Sequence, residues 1–345
     1  MLLILNSGME EMKNDKPILS IENLKLYFNS DSYTSRAVDG VSLSVYPKEL
    51  VCLVGESGCG KSITAFSILG LVPIPPGEIV EGEILFKGQN ITKLDENSWY
   101  NIRGRKISIV FQEPLTSLNP VFCIGDQVSE AILTHDKHLK KTEVYHKAIQ
   151  LLLDVGIPSP ETRFRDYPHQ LSGGQRQRVM IAIALACEPE FIIMDEPTTA
   201  LDVTIQSQIL NLIKKLHETK GLSVLYITHD LSVVAGIADR IYVMYAGLIV
   251  EEGSPQDIFE NSKHPYTIGL LASLPHRDKR RARLFSIPGN VPNPAKKPSG
   301  CVFHPRCQHS NKDCSILSPE LLDYGKGHKA RCPVLFNRIN GNYNA

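Results

Sequence analysis

The chain has 345 residues, 42% of them hydrophobic, with 37 basic and 37 acidic side chains. That size suits one large domain plus an extension, or two to three units, with ample apolar content for a core. A formal net charge of zero removes any bulk electrostatic argument for nucleic acid or an acidic membrane surface as partner.

The N-terminal "MLLILNSGMEEMKNDK" has a short apolar run, no basic region before it and acidic residues after it. It does not read as a secretory signal, and residues 1–16 are expected to be a disordered leader. No stretch approaches the roughly twenty apolar residues of a membrane helix, so membrane attachment is expected to come through partners. The chain therefore reads as cytoplasmic, where structural disulfides are rare.

"ELVCLVGESGCGKSITAFSILG" opens with an apolar run, Leu50 to Val54, that predicts a buried parallel strand. A glycine-rich turn and an apolar-periodic helix follow. The turn fits G-x-x-x-x-G-K-[ST] at Gly55, Gly60, Lys61 and Ser62. Glycines let backbone N–H groups curl around phosphates, and the helix start adds partial positive charge. Lys61 has the reach for the β- and γ-phosphates, and the Ser62 hydroxyl suits magnesium. Four such fixed positions arise by chance on the order of once per hundred chains of this length. The strand–turn–helix context lowers that further.

"EFIIMDEPTTALD" predicts a second buried strand, Phe191 to Met194, ending in Asp195 and Glu196. An acid at the end of a core strand beside a phosphate loop is placed to hold magnesium, and the next acid is a candidate general base for the attacking water. "LSVLYITHD" adds a third apolar run ending at His229. In "LSGGQRQRVMIAIALA", Ser172, Gly173, Gly174 and Gln175 lead into a helix and form a second helix start with exposed N–H groups. One phosphate loop with two phosphate-binding helix starts implies two chains facing head to tail, each completing the other's site.

These segments together closely resemble the ATP-binding cassette (ABC) family, in family order: "GESGCGKS", the Q-loop "VFQEP" with Gln112, the signature "LSGGQ", the Walker B strand "FIIMDE", the D-loop "ALD" with Asp202, and the switch histidine in "THD". The resemblance covers about residues 17–262 and implies an α/β fold, a RecA-like core with a helical subdomain at about 113–188 that includes "TEVYHKAIQLLLDVGI". It implies that the loop Gly55, Glu56, Ser57, Gly58, Cys59, Gly60, Lys61, Ser62 and Ile63 cradles ATP, and that Ser62, Gln112 and Asp195 serve Mg2+. Glu196 is expected to polarise water, with Gln112 and His229 beside it as catalytic residues. Ser172 to Gln175 would contact ATP bound to the opposite subunit, and Asp202 is a further nucleotide-binding residue. An aromatic of "LKLYFNS", Phe28 in preference to Tyr27, should stack on adenine. The cassette does not repeat within the chain, so the second one is expected from another polypeptide.

A lone cassette without membrane spans, coiled-coil insertions or a duplicate resembles the energy subunit of an importer. "EPLTSLNPVF", "KHPYTIGLLASLP" and "IPGNVPNPAKKPSGCVFHPRC" resemble the peptide and nickel importers and their C-terminal extension, here residues 263–345. The resemblance implies a different partner cassette in a heterodimer, two membrane permease subunits, an extracellular substrate-binding protein, and a peripheral place on the cytoplasmic face of the membrane. Two alternatives stay open: an importer ATPase for nickel or another small solute, and a soluble regulatory ATPase.

The extension carries C-x5-C-x6-C-x17-C at Cys301, Cys307, Cys314 and Cys332, while Cys52, Cys59, Cys123 and Cys187 are scattered. Four thiolates suit a tetrahedral zinc or an iron–sulfur cluster, and the spacing alone does not choose between them. The resemblance implies a 4Fe–4S cluster on these four; His304 and His309, in the same segment, are read as surface residues or as residues supporting the ligands. Proline between 288 and 298 predicts an extended linker, and "HRDKRRARL" a solvated basic loop. Lying beyond the last nucleotide motif, the cluster is expected to staple a polar tail too short to fold alone. On that view Cys307→Ser loosens the tail and leaves ATP binding intact.

Overall fold

The structure is a computed structural model that describes residues 16–199, 201–274 and 286–335. Its strands are β1 (Leu19–Asn29), β2 (Thr34–Val45), β3 (Leu50–Val54), β4 (Gly77–Phe86), β5 (Gln89–Asn90), β6 (Ile107–Val110), β7 (Phe191–Asp195), β8 (Ser223–Thr228), β9 (Arg240–Tyr245), β10 (Leu248–Gly253), β11 (Leu322–Asp323) and β12 (Lys329–Ala330). An antiparallel sheet runs β2-β1-β4-β5. The central sheet runs β11-β12-β10-β9-β3-β8-β7-β6 and is parallel from β9 to β6.

Every residue of β3, β7 and β8 is buried. Strands covered on both faces carry continuous apolar runs rather than alternation, as LVCLV and FIIMD do here. The register then fixes the site. Val54 pairs with Thr228, and Asp195 with Ile227, so the segments after β3, β7 and β8 leave the sheet along one edge. In open α/β sheets, ligands bind outside that carboxyl edge.

Between β6 and β7 the chain carries the helices Pro114–Ser117, Ile124–His135, Lys141–Asp154, Pro160–Arg163 and Gly173–Leu185. Val144, Ala148, Ile149, Leu151 and Leu152 put one face of the helix Lys141–Asp154 into the core, while charged residues such as Lys141 and Glu143 lie outside.

The extension is sewn onto the central sheet. β12 pairs antiparallel with β10 through Glu251↔Ala330 and Glu252↔Lys329. Phe303 is buried against Tyr245 of β9 and Tyr266 of the helix Pro265–Ala272, with ring centroids 5.2 and 5.5 Å away. The buried Glu251 carboxylate accepts the backbone N–H groups of Lys263 (2.6 Å) and His264 (3.0 Å) and lies 2.8 Å from His328 Nε2. The proline-rich stretch runs beside β2: Arg36 N donates to Pro294 O at 3.0 Å, and Lys297 Nζ pairs with Asp39 at 3.2 Å. Residues 1–15 of the expected leader and the basic run 276–284 lie outside the described residues. Among the described residues, no helix is long and apolar enough to cross a membrane.

Candidate functional site

The loop after β3 turns tightly into the helix Lys61–Ile68, and two glycines make the turn possible. Gly60 has φ +110, and a Cβ there would sit 2.6 Å from Ala37 O. At Gly55 a Cβ would sit 2.2 Å from Met244 O, so side chains are excluded where the loop passes β9. Lys61 opens the helix and is buried. Its Nζ donates to Gly55 O (2.8 Å) and Glu56 O (3.2 Å) and lies 3.6 Å from Glu196 Oε1. Cys59 is buried beneath the loop, which pushes its thiol up to about 11.

Glu196 stands at the centre of the site. Its Oε2 accepts from Gln112 Nε2 (3.3 Å) and Thr199 Oγ1 (3.0 Å) and lies 2.9 Å from His229 Nδ1. Its backbone sits at φ +46, in the left-handed region. Such a conformation costs on the order of 1–3 kcal/mol and persists where the surroundings over-determine it. Here Glu196 N is held by Ile227 O at 2.9 Å. Beside it, Ser62 Oγ donates to Asp195 Oδ1 at 3.1 Å. Burial raises the Asp195 carboxyl, and the neighbouring Glu196 charge adds to that, against the Ser62 hydrogen bond and Lys61. A hydroxyl and a buried carboxylate are the hard oxygen donors that suit magnesium.

The structure thus brings Ser57, Lys61, Ser62, Ile63, Gln112 and Glu196 to one cleft of about 230 Å3. None of Ser172, Gly173, Gly174 and Gln175 lines it. Ser172 instead caps the helix Gly173–Leu185: its Oγ accepts from Gln175 N (3.3 Å), and Gln175 Oε1 accepts from Ser172 N (3.0 Å). Asp202 caps the helix Val203–Lys220 through Ile205 N at 3.0 Å. Phe28 lines an adjoining cleft with Ser35, Asn293 and Ala295 rather than the phosphate cleft itself. Tyr27 is turned away, its hydroxyl donating to Asp39 at 2.6 Å.

Cys301, Cys307, Cys314 and Cys332 line one cavity of about 220 Å3. None of them is in a disulfide. Burial raises the thiols of Cys301 and Cys307 and pushes Cys332 up to about 11. Cys301 N donates to Cys314 O at 2.8 Å, which draws two turns of the segment together. His304 Nδ1 lies 2.9 Å from Cys301 O. Among the described residues, no group of three or more His, Cys, Asp or Glu is placed to hold a metal ion. Four soft sulfur donors around one space nevertheless match the chemistry of a thiolate-bound group.

Sequence reasoning passed over three contributors. Thr199 was hidden in "DEPTTALD", where only its hydroxyl near Glu196 marks it. Pro294 lines the phosphate cleft from the extension. Arg306, beside Cys307, donates from both terminal nitrogens to the Glu56 carboxylate, at 2.8 and 3.1 Å. No spacing rule links either residue to the loop.

Comparison with known proteins identifies the family. A family model described as ABC transporter matches residues 38–199, and one described as oligopeptide/dipeptide transporter, C-terminal region, matches residues 250–314. The oligopeptide transport ATP-binding protein AppD of Bacillus subtilis is 48% identical, covering 91% of this chain and 96% of that protein. The dipeptide transport ATP-binding protein DppD of Escherichia coli is 44% identical over 91% of this chain and 96% of its own. Among solved structures, the dimeric post-hydrolysis ATP-binding cassette MJ0796 bound to ADP and phosphate matches with a TM-score of 0.62 and 30% identity, covering 69% of this chain and 98% of its own. The CbiO1 cassette of Clostridium perfringens matches with a TM-score of 0.62 and 28% identity, over 72% of this chain and 92% of its own. With the segments after β3, β7 and β8 on one sheet edge and its C-terminal region matched as well, the chain belongs to the ABC transporter ATPases, in the branch of the oligopeptide/dipeptide transport ATP-binding proteins.

Proposed function

We propose that this chain hydrolyses ATP to energise the import of di- and oligopeptides. The observation that carries the reading is the convergence of Lys61, Gln112, Thr199 and His229 on Glu196, beside the Ser62–Asp195 pair. The names of AppD and DppD supply the cargo class.

In this mechanism the phosphate loop, Gly55 to Ile63, and the Lys61 ammonium bind the β- and γ-phosphates. Ser62, Asp195 and Gln112 would hold Mg2+, which would neutralise phosphate charge when bound. Glu196 accepts a proton from the attacking water as general base. His229 and Gln112, both on Glu196 Oε2, report whether a γ-phosphate is present. Phe28 stacks on the adenine. Ser172 to Gln175, which lie away from this chain's own cleft, serve ATP on the partner cassette, with Asp202 at the same joint; their absence from the cleft supports a head-to-tail pair. The partner is a second, different cassette. ATP binding favours the closed pair, and hydrolysis releases it, so the energy is delivered as a binding difference between two states. Two permease subunits and an extracellular binding protein complete the transporter, with this chain peripheral on its cytoplasmic face.

For the extension we favour a 4Fe–4S cluster on Cys301, Cys307, Cys314 and Cys332. The cavity that all four cysteines line is the observation that supports it. Its contribution would be to cross-link segments of the tail, and because burial raises the thiols of Cys301, Cys307 and Cys332, loading would release protons.

The test is purification from detergent-solubilised membranes followed by reconstitution. Co-purifying membrane subunits and hydrolysis stimulated by a peptide-loaded binding protein are expected. Stimulation by nickel alone would move the chain to the metal-import reading. A chain that never co-purifies with membrane subunits would be a soluble regulatory ATPase.

A further inference from the structure

Glu56 is gripped from three sides. Its carboxylate receives two hydrogen bonds from the Arg306 guanidinium, a bidentate geometry at 2.8 and 3.1 Å. Its backbone N–H donates to the hydroxyl of Tyr266 at 2.9 Å. Its carbonyl accepts from Lys61 Nζ at 3.2 Å. Two of those three partners, Arg306 and Tyr266, belong to the extension.

Arg306 is itself fixed. Its side chain is 5% exposed, and its Nε donates to Pro288 O at 2.8 Å. Its guanidinium carbon lies 5.7 Å from the ring of Tyr245, which sits at the end of β9. A guanidinium with this little freedom positions its partner rather than following it. Glu56 therefore links a buried cation beside Cys307 to the lysine of the phosphate loop.

We propose that Arg306 is a positioning residue for ATP binding: through Glu56 it holds the phosphate loop in the geometry that Lys61 needs. This rests on the reading of the cleft as an ATP site. It alters one expectation for the tail. Because Arg306 precedes Cys307, loosening the cysteine segment is expected to weaken ATP binding rather than leave it intact.

The experiment measures Mg–ATP affinity of the full-length protein by calorimetry, with a thermal melt for each variant. Arg306→Ala and Glu56→Ala are each expected to weaken ATP binding about tenfold, and the double variant no more than either single, because both remove one link. Arg306→Lys should recover only part of the loss, since an ammonium cannot make the forked contact. In the assembled transporter, Arg306→Ala should raise the KM for ATP more than it lowers kcat. A merely structural role would instead lower the melting temperature and the active fraction and leave KM unmoved. If Arg306→Ala does not fold, Glu56→Ala and Glu56→Gln carry the test from the loop side. Wild-type affinity in folded Glu56→Ala, or fully additive losses in the double variant, overturns the proposal. Lys61→Ala serves as control: if wild type and Lys61→Ala bind ATP equally, the reading of the cleft fails, whatever Arg306 does.

Discussion

His229 Nδ1 lies 2.9 Å from Glu196 Oε2, although the two residues leave the sheet from different strands. That contact exists because β7 and β8 pair in register up to Asp195↔Ile227, which brings the residues after each strand to the same edge. The same carboxylate oxygen also meets Gln112 and Thr199. One carboxylate thus contacts Gln112, Thr199, His229 and Lys61 together. Replacing His229 by Ala removes one of these contacts without emptying the cleft. Hydrolysis in the assembled transporter is expected to fall about 10²-fold or more, with Mg–ATP affinity within a few-fold of wild type, as read by phosphate release and calorimetry. Turnover close to wild type would separate His229 from the reaction.

The signature segment makes a different prediction. Ser172 and Gln175 cap their own helix, and none of Ser172, Gly173, Gly174 and Gln175 lines the chain's own cleft. Ser172→Arg is expected to leave ATP binding by the isolated chain unchanged. It should abolish ATP-dependent association with the second cassette, measured by light scattering. Weakened ATP binding by the isolated chain would place the signature in the chain's own cleft and contradict the head-to-tail pair.

The cysteine segment predicts composition. Anaerobically purified protein should contain about four irons and four acid-labile sulfides per chain, with a broad brown absorbance. One zinc without sulfide would make the extension a structural zinc module. Removal of such a group by oxidation should lower the melting temperature, because it would cross-link Cys332, after β12, to the segment that carries Cys301, Cys307 and Cys314.

Acid stability follows from His264. Burial lowers its imidazole from 6.5 to about 4, and its Nδ1 accepts the Tyr266 N–H at the start of the helix that holds Glu56. The folded protein therefore resists the proton that the unfolded chain accepts. Stability is complete above the unfolded value and is lost as pH falls from 6.5 towards about 4. The full loss is about 3 kcal/mol. His264→Asn keeps a capping acceptor but does not titrate. Denaturant unfolding between pH 7.5 and 5 should show a steeper acid loss in wild type than in the variant. Equal slopes would contradict the assignment.

Much of the site was legible before any coordinates. Apolar runs such as LVCLV and FIIMD announced buried parallel strands, and each ended on the residue its chemistry required, Gly55 or Asp195. Local motifs are readable because the phosphate loop, the strand-end acids and the helix caps are set by neighbours in the chain. The link between Arg306 and Glu56 was not readable, because it joins residues 250 positions apart. The tail gave a similar difference. Its composition suggested a polar appendage, yet Phe303 packs into the aromatic group of Tyr245 and Tyr266, and β12 continues the central sheet through β10. Short strands like Lys329–Ala330 carry no periodicity, so only tertiary pairing reveals them.

The most direct test of the central claim is the Glu196→Gln variant, measured for ATP retention and single-turnover hydrolysis with its partner cassette. Glutamine keeps the shape of the side chain but cannot take a proton from water. The account predicts that ATP stays bound, the two cassettes remain closed on it, and hydrolysis falls by about 10²–10⁴-fold. Hydrolysis near the wild-type rate, with no trapped pair, would contradict Glu196 as the base and the mechanism built around it.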